Sequence, residues 1–271
     1  MKSGTPRDRR EGGLSRVLVD EARYAFTALG YFTRIPVPGW VGFEPHYLAA
    51  AARWFPLVGV LVGALSAAVF EACRLVFTQP VAVLISMVAT LLVTGAFHED
   101  GLADSCDAFG GGYAREDVLR IMHDSRIGAF GAIGLVMALG LKWQTLAAMP
   151  VDRIAFTMVA SHAASRAVAI SYVLTLDYVR AQGKAKPVVE QLGIASFGWI
   201  LVTGLPWLFW PDWRLGVLIL VVLAALRWAI GRWFVRRIGG YTGDCLGCAQ
   251  QIFEIAIYLC VLAWSTAGAR L

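Results

Sequence analysis

Apolar stretches that meet or approach the length of a membrane crossing recur along this chain, and they constrain its class more than any other feature. A helix rises 1.5 Å per residue and needs about 20 mostly apolar residues to span the hydrocarbon core. Such runs cover residues 55–77, 81–97, 127–148, 154–178, 194–210, 215–230 and 252–267. They predict an all-α, polytopic membrane bundle with about seven transmembrane helices. Charged residues make up 16 % of the 271 residues and hydrophobic ones 58 %, against roughly 25 % charged in soluble domains. One soluble core cannot hide that excess.

The remaining composition narrows the partners. A net charge of +5 in such a chain reflects basic loops facing an anionic leaflet, so a nucleic acid is not expected and a lipid bilayer is. Cys73, Cys106 and Cys260 are scattered, and Cys245 and Cys248 form a lone C-x-x-C. This is neither a disulfide framework nor, without a second pair, a zinc site. Residues 1–15 are polar and basic and are expected to form a disordered tail, with residues 16–271 as a single domain. Residues 16–32 set Leu18, Ala22, Ala25, Phe26 and Leu29 against Arg16, Asp20, Glu21 and Arg23. That pattern predicts an interfacial helix, ended by Ile35-Pro36-Val37-Pro38. Arg23, Arg34 and two prolines interrupt the first apolar segment, so no cleavable signal peptide is expected.

Placing the N-terminal arginines in the cytoplasm and counting spans puts three polar segments on the same side: 98–126, 180–190 and 232–247. The opposite loops are short and nearly neutral, as the positive-inside rule requires. Lys184 and Lys186 suit topology charges better than ligands.

The stretch from His98 to Arg126 carries most of the chemistry. As a helix it places Asp100, Asp104 and Asp107 at i, i+4 and i+7, on one face. Three like charges there repel, and a hard divalent cation with oxygen ligands is the natural compensation. Gly110, Gly111 and Gly112 suit the end of that helix. A solvated acidic loop is the bland alternative, but such a loop needs no helical register. His162 and Arg166 lie at i and i+4 inside the fourth apolar run. A guanidinium there needs a partner: either Glu71 or Glu254 in a salt bridge, or phosphate oxygens in a fork-shaped clamp. His162 fits a polar core position as well as a catalytic one. Asp244, in a glycine-rich turn, serves either as a helix cap or as a further carboxylate at the metal. Arg126, after Asp124 and Ser125, is either a juxtamembrane anchor or a phosphate contact. Together these residues suggest metal-assisted phosphoryl-group chemistry at a membrane face.

The runs FHEDGLADSCDAFGGG, IMHDSRIGAFG, SHAASRA and GGYTGDCLGC resemble the cobalamin synthase family, the adenosylcobinamide-GDP ribazoletransferases, over about residues 31–267. The resemblance implies a multi-pass inner-membrane enzyme of bacteria with its active site facing the cytoplasm. It implies Mg²⁺ as cofactor and a late step in assembling the cobalamin nucleotide loop. In that step the 5′-hydroxyl of α-ribazole, or of its 5′-phosphate, joins adenosylcobinamide-GDP and GMP leaves. It further implies magnesium on Asp100, Asp104 and Asp107. Glu99 stands where the family commonly has a hydrophobic residue and is a candidate additional ligand. Asp107 is the expected base, with His98 as the other candidate. Asp124, Ser125, Arg126, His162, Arg166, Thr242 and Asp244 are expected on the substrate. A homo-oligomer is compatible with this reading. Two other classes compete. A CDP-alcohol head-group phosphotransferase would carry D-G-x-x-A-R, but Asp104 follows Ala103 here. A cation transporter would place its carboxylates at mid-bilayer.

Overall fold

The computed structural model describes residues 6–42, 44–180, 193–210 and 212–268; the 181–190 part of the loop expected on the cytoplasmic side, with Lys184 and Lys186, lies outside them. In chain order the helices are α1 (Pro6–Phe32), α2 (Pro45–Ala51), α3 (Phe55–Cys73), α4 (Gln79–Thr94), α5 (Phe97–Gly111), α6 (Arg115–Ile121), α7 (Ala129–Ala147), α8 (Val151–Ile170), α9 (Ile194–Gly204), α10 (Trp213–Ile238) and α11 (Gly243–Gly268). Among the described residues the sole β pairing is a parallel bridge between Tyr178 and Tyr241.

Among the described residues five segments are long and apolar enough to cross a membrane: Tyr47–Cys73, Ala129–Ala147, Val151–Leu174, Trp213–Ile238 and Gly243–Ala267. A sixth exists only if α4 and α5 are taken together, and those two helices are bent by 89°. The expectation of about seven falls short for two local reasons. The second run breaks near its end, and the 194–210 run is a shorter apolar segment, Ile194–Phe209, whose last turn is a 3₁₀ helix opened by Pro206. The N-terminal helix also starts at Pro6 rather than Arg16, so helix covers ten positions assigned to a disordered tail. Residues 1–5 lie outside the described residues. Its end is as expected: the Thr33 hydroxyl donates to the Leu29 carbonyl at 2.7 Å before the two prolines.

The break between α4 and α5 positions the site. Gly95 and Ala96 both adopt left-handed backbone, with φ of 64° and 56°. Glycine does so freely, whereas alanine is strained there. At Gly95 a Cβ would also lie 2.7 Å from Nε of Arg34. The Ala96 amide still reaches the Leu91 carbonyl at 3.0 Å, and the Asp100 amide reaches the Ala96 carbonyl at 2.8 Å. The chain therefore turns sharply while keeping these two hydrogen bonds, and α5 lies across the end of the bundle instead of continuing the span.

Close backbone approach holds the bundle together. Cβ atoms at Gly59 and Gly63 of α3 would fall 2.3 Å from the His162 carbonyl and 2.7 Å from that of Met158 on α8. The small-residue spacing in the first apolar run thus marks a helix–helix seam. α11 packs against both α5 and α8, which brings the acidic helix and the His162–Arg166 helix to the same element.

Candidate active site

Gly101 sets α5 against the start of α11. A Cβ there would meet the Asp244 carbonyl at 3.0 Å and Gly247 Cα at 3.3 Å. Bulkier residues would hold the two helices apart, so this glycine brings Asp100 and Asp104 to the first turn of α11, where Asp244 sits. Asp100 is exposed and Asp104 half-buried. Asp104 interacts electrostatically with Asp244, Asp100, Arg180 and Asp107.

Arg180 completes the cluster, from a loop whose sequence carries only a topology signal. The Val179 amide donates to the Tyr241 carbonyl at 3.0 Å, and the Tyr241 amide to the Asp177 carbonyl at 2.9 Å. That bridge carries Arg180 to Asp244, where Nη2 meets Oδ2 at 2.9 Å and also donates to the Met122 carbonyl at 3.0 Å. The polar stretches around 98–126, 180 and 239–248 therefore meet at one end of the bundle. Tyr31 lies at the same place: burial first, then the neighbouring Tyr178 and Asp244, push its hydroxyl pKa up.

Asp107 shares the helical face but has a separate task. Its Oδ2 accepts from the Gly128 amide at 2.7 Å and its Oδ1 from the Gly131 amide at 2.8 Å. The carboxylate caps the N-terminus of α7, where a helix has unpaired N–H groups and a positive dipole end. Cβ atoms at Gly128 and Gly131 would lie 2.5 and 2.2 Å from its oxygens, so the G-A-F-G run after Arg126 exists in part to admit Asp107. With both oxygens occupied, Asp107 is poorly suited to the base role expected of it.

Glu99 corrects another expectation. It turns into the bundle, accepting from Gln251 Nε2 at 3.0 Å and standing 4.0 Å from Lys142 Nζ. It is one position off the face of Asp100, and its contacts lie with Gln251 and Lys142. Among the described residues no group of three or more His, Cys, Asp or Glu side chains is arranged to hold an ion. The four-carboxylate set is therefore not assembled. Thr242 is a second correction, since it is fully buried and its hydroxyl accepts from the Cys245 amide at 3.3 Å. That oxygen starts α11 rather than facing a substrate. Cys245 and Cys248 are buried free thiols beside it.

Behind the carboxylates lies a cavity lined by Tyr31, Phe55, Phe97, His98, Arg166 and Gly247, among others. His98 is 5 % exposed and stacks on Phe32 with ring centroids 5.2 Å apart. Arg166 Nη1 donates to the His162 carbonyl at 2.8 Å and lies 3.2 Å from its Nδ1. Its buried Nε has no hydrogen-bond partner among the described residues. Neither carboxylate expected as a structural partner takes it: Glu71 pairs with Arg74, and Glu254 pairs with Lys142 at 2.6 Å and His162 at 3.5 Å. Glu254 also accepts from Gln250 and Tyr258. Lys142 was missed in the sequence, although a lone lysine inside an apolar run is itself a signal.

Asp124 and Arg126 are exposed and pair with each other, Nη2 to Oδ2 at 2.6 Å. The Arg126 hydrogen bonds hold the Asp124 pKa down at about 2. Ser125 lies between them, and all three precede the amide that Asp107 caps. Arg237 of α10 donates to the Phe109 and Gly112 carbonyls at 3.1 and 2.6 Å and secures the end of α5.

The donor set fits magnesium in a limited way. Mg²⁺ is commonly held by one or two carboxylates together with water and substrate phosphates, not by an all-protein cage. Asp100 and Asp104 supply two hard oxygen donors one helical turn apart, in a region crowded with negative charge and countered chiefly by Arg180.

Comparisons with known proteins bear on the family. The family model described as cobalamin-5-phosphate synthase matches residues 24–262. A protein of Ralstonia pickettii (strain 12J), named adenosylcobinamide-GDP ribazoletransferase, is 60 % identical over 242 residues, 88 % of this chain and 94 % of its own. Proteins of the same name from Ralstonia nicotianae and Leptothrix cholodnii are 56 % and 44 % identical. They cover 92 % and 91 % of this chain and 98 % and 97 % of their own lengths. No solved structure matches. The family match spans the acidic α5, the α7 turn that Asp107 caps and the start of α11 alike, and on that extent the chain belongs to the cobalamin-5-phosphate synthase family.

Proposed function

We propose that this chain transfers the cobinamide phosphate of adenosylcobinamide-GDP to the 5′-hydroxyl of α-ribazole, or of its 5′-phosphate, and releases GMP. The observation that carries the reading is the meeting of Asp100, Asp104, Asp244 and Arg180 at one end of a membrane bundle, in a chain whose relatives bear that enzyme's name. Asp100 and Asp104 would hold magnesium, which when bound there neutralises charge on the diphosphate. Asp244 takes the proton of the attacking hydroxyl: Arg180 fixes its Oδ2, and the second oxygen is left to act. The new bond joins the ribazole oxygen to the phosphorus on the cobinamide arm. The bond from that phosphorus to the GMP oxygen breaks, and GMP leaves with the electron pair. Arg180 and Arg166 are the guanidiniums placed to offset the developing charge. Asp107 positions the α7 N-terminus beside them. By the positive-inside argument this end faces the cytoplasm, with the protein in the bacterial inner membrane.

The test is a purified preparation in lipid, given adenosylcobinamide-GDP, α-ribazole and Mg²⁺. Cobalamin product and GMP should appear in equal amounts, and chelation should stop both. Turnover of a CDP-alcohol with none of the cobinamide substrate would replace this reading with head-group transfer.

A further inference from the structure

Away from the carboxylates, the outer surface of α10 carries a groove of about 340 Å³. Its polar wall consists of Tyr172, Thr175, Arg227, Arg232 and Arg236, with Gly231 at its floor. A Cβ at Gly231 would fall 2.9 Å from the Tyr172 ring, so only a glycine lets the ring and the helix meet to form the groove. Arg227 is locked in place. Its Nε donates to Ser171 Oγ, and its Nη2 donates to the Ser171 carbonyl at 3.1 Å and to Thr175 Oγ1 at 2.6 Å. Its guanidinium lies 5.0 Å from the Tyr172 ring centroid. Nη1 makes no hydrogen bond among the described residues. Arg232 lies over the Trp228 ring at 5.1 Å. Among the described residues no carboxylate pairs with Arg227, Arg232 or Arg236. Three positive charges thus line one concavity without a counter-ion among the described residues.

Depth and surroundings identify what would neutralise them. The 26 residues of α10 make a helix about 39 Å long, longer than a hydrocarbon core of about 30 Å. Arg236 lies about 3 Å and Arg232 about 9 Å from its C-terminal end, within reach of headgroup depth for long side chains, and Arg227 extends the groove about 7 Å deeper. Trp228 beside them is 64 % exposed, and Val221 and Val235 are also exposed, which is the pattern of a lipid-facing surface with an aromatic belt. A ligand entering from this side arrives with acyl chains lying along α10. Basic pockets against membrane helices at the cytoplasmic level suit anionic lipid headgroups, and guanidiniums match phosphate oxygens in pairs.

We infer that the Arg227–Arg232–Arg236 groove binds the phosphodiester headgroup of an anionic phospholipid. The contact is separate from the catalytic carboxylates, and its test does not depend on turnover. The full chain is placed in phosphatidylcholine nanodiscs containing a fraction of phosphatidylglycerol. Lipid retained on release is counted by native mass spectrometry, and the melting temperature is followed as the anionic fraction rises. The wild-type protein should retain phosphatidylglycerol preferentially and be stabilised by it. Arg232→Gln/Arg236→Gln removes two exposed side chains, so the fold should persist while the preference falls by about tenfold or more. Arg236→Glu alone should lower it as well. Arg74→Gln/Arg214→Gln removes the same charge elsewhere and should leave it unchanged. An unchanged preference in the groove variants overturns the inference. So does an equal loss in the control, which would make the effect one of net charge. Equal stabilisation by soluble glycerophosphate would assign the groove to free phosphate and likewise overturn the lipid site.

Discussion

Lys142 of α7 and Glu254 of α11 meet at 2.6 Å with side chains only 7 % and 1 % exposed. Both lie inside helices read as crossing the membrane, where an unpaired charge is costly. Removing one partner of such a pair strands the other, at about 3–5 kcal/mol. Lys142→Met should therefore lower the melting temperature sharply in detergent, while Lys142→Met/Glu254→Gln should recover much of the loss. Gln250 and Tyr258 can still bond the amide. Equal destabilisation by the single and double variants would show that the charge pair is not what matters.

The carboxylates divide by position. Asp100→Asn, Asp104→Asn and Asp244→Asn should each reduce turnover by about a hundredfold or more, the scale of a lost electrostatic or proton-transfer group. Glu116→Gln and Asp117→Asn should change it little, since both are exposed on α6 and Asp117 pairs with exposed Arg120. Initial rates of GMP release at saturating substrate are the measurement. A loss at Glu116 as deep as that at Asp104 would remove the basis for singling out one face of α5.

Asp107 should behave unlike its neighbours. Losing a charged cap costs about 1 kcal/mol, so Asp107→Ala should lower thermal stability where Asp100→Asn does not. Gly131→Ala should do the same from the other side, because its Cβ would lie 2.2 Å from the carboxylate. Slow amide exchange at Gly128 and Gly131 in the wild-type protein, lost in Asp107→Ala, would report the cap directly.

These contrasts mark what sequence can and cannot reveal in such a chain. Helical register placed Asp100, Asp104 and Asp107 on one face, and loop charge grouped residues 98–126 with 180–190 and 232–247. Both follow from local periodicity and composition. The separation of Asp107 from the other two depends on α7 arriving from 21 residues away. The arrival of Arg180 depends on a two-bond bridge between distant loops. Neither leaves a local trace. The bend at Ala96 was hidden for a different reason: alanine is a strong helix former, and an apolar run through it reads as one continuous span. Glu99 turns elsewhere because adjacent helical positions differ by about 100°, which directs it toward Lys142 and away from the side that Asp100 takes.

The bend at Gly95–Ala96 can be tested by relieving or increasing its strain. Glycine at position 96 removes the clash that an L side chain suffers at positive φ, so Ala96→Gly should be neutral or stabilise the folded state by up to about 1 kcal/mol. In an ordinary helix the same change would cost about that amount. Gly95→Ala should destabilise, because its Cβ meets both the left-handed backbone and Arg34 Nε. Activity should follow the bend and not stability alone. If the chain straightened at this point, α5 would leave Asp244, and turnover would fall even in protein that still folds. Melting temperature and turnover measured together decide the matter. Destabilisation by Ala96→Gly comparable to that expected in a straight helix would mean that residue 96 is not left-handed.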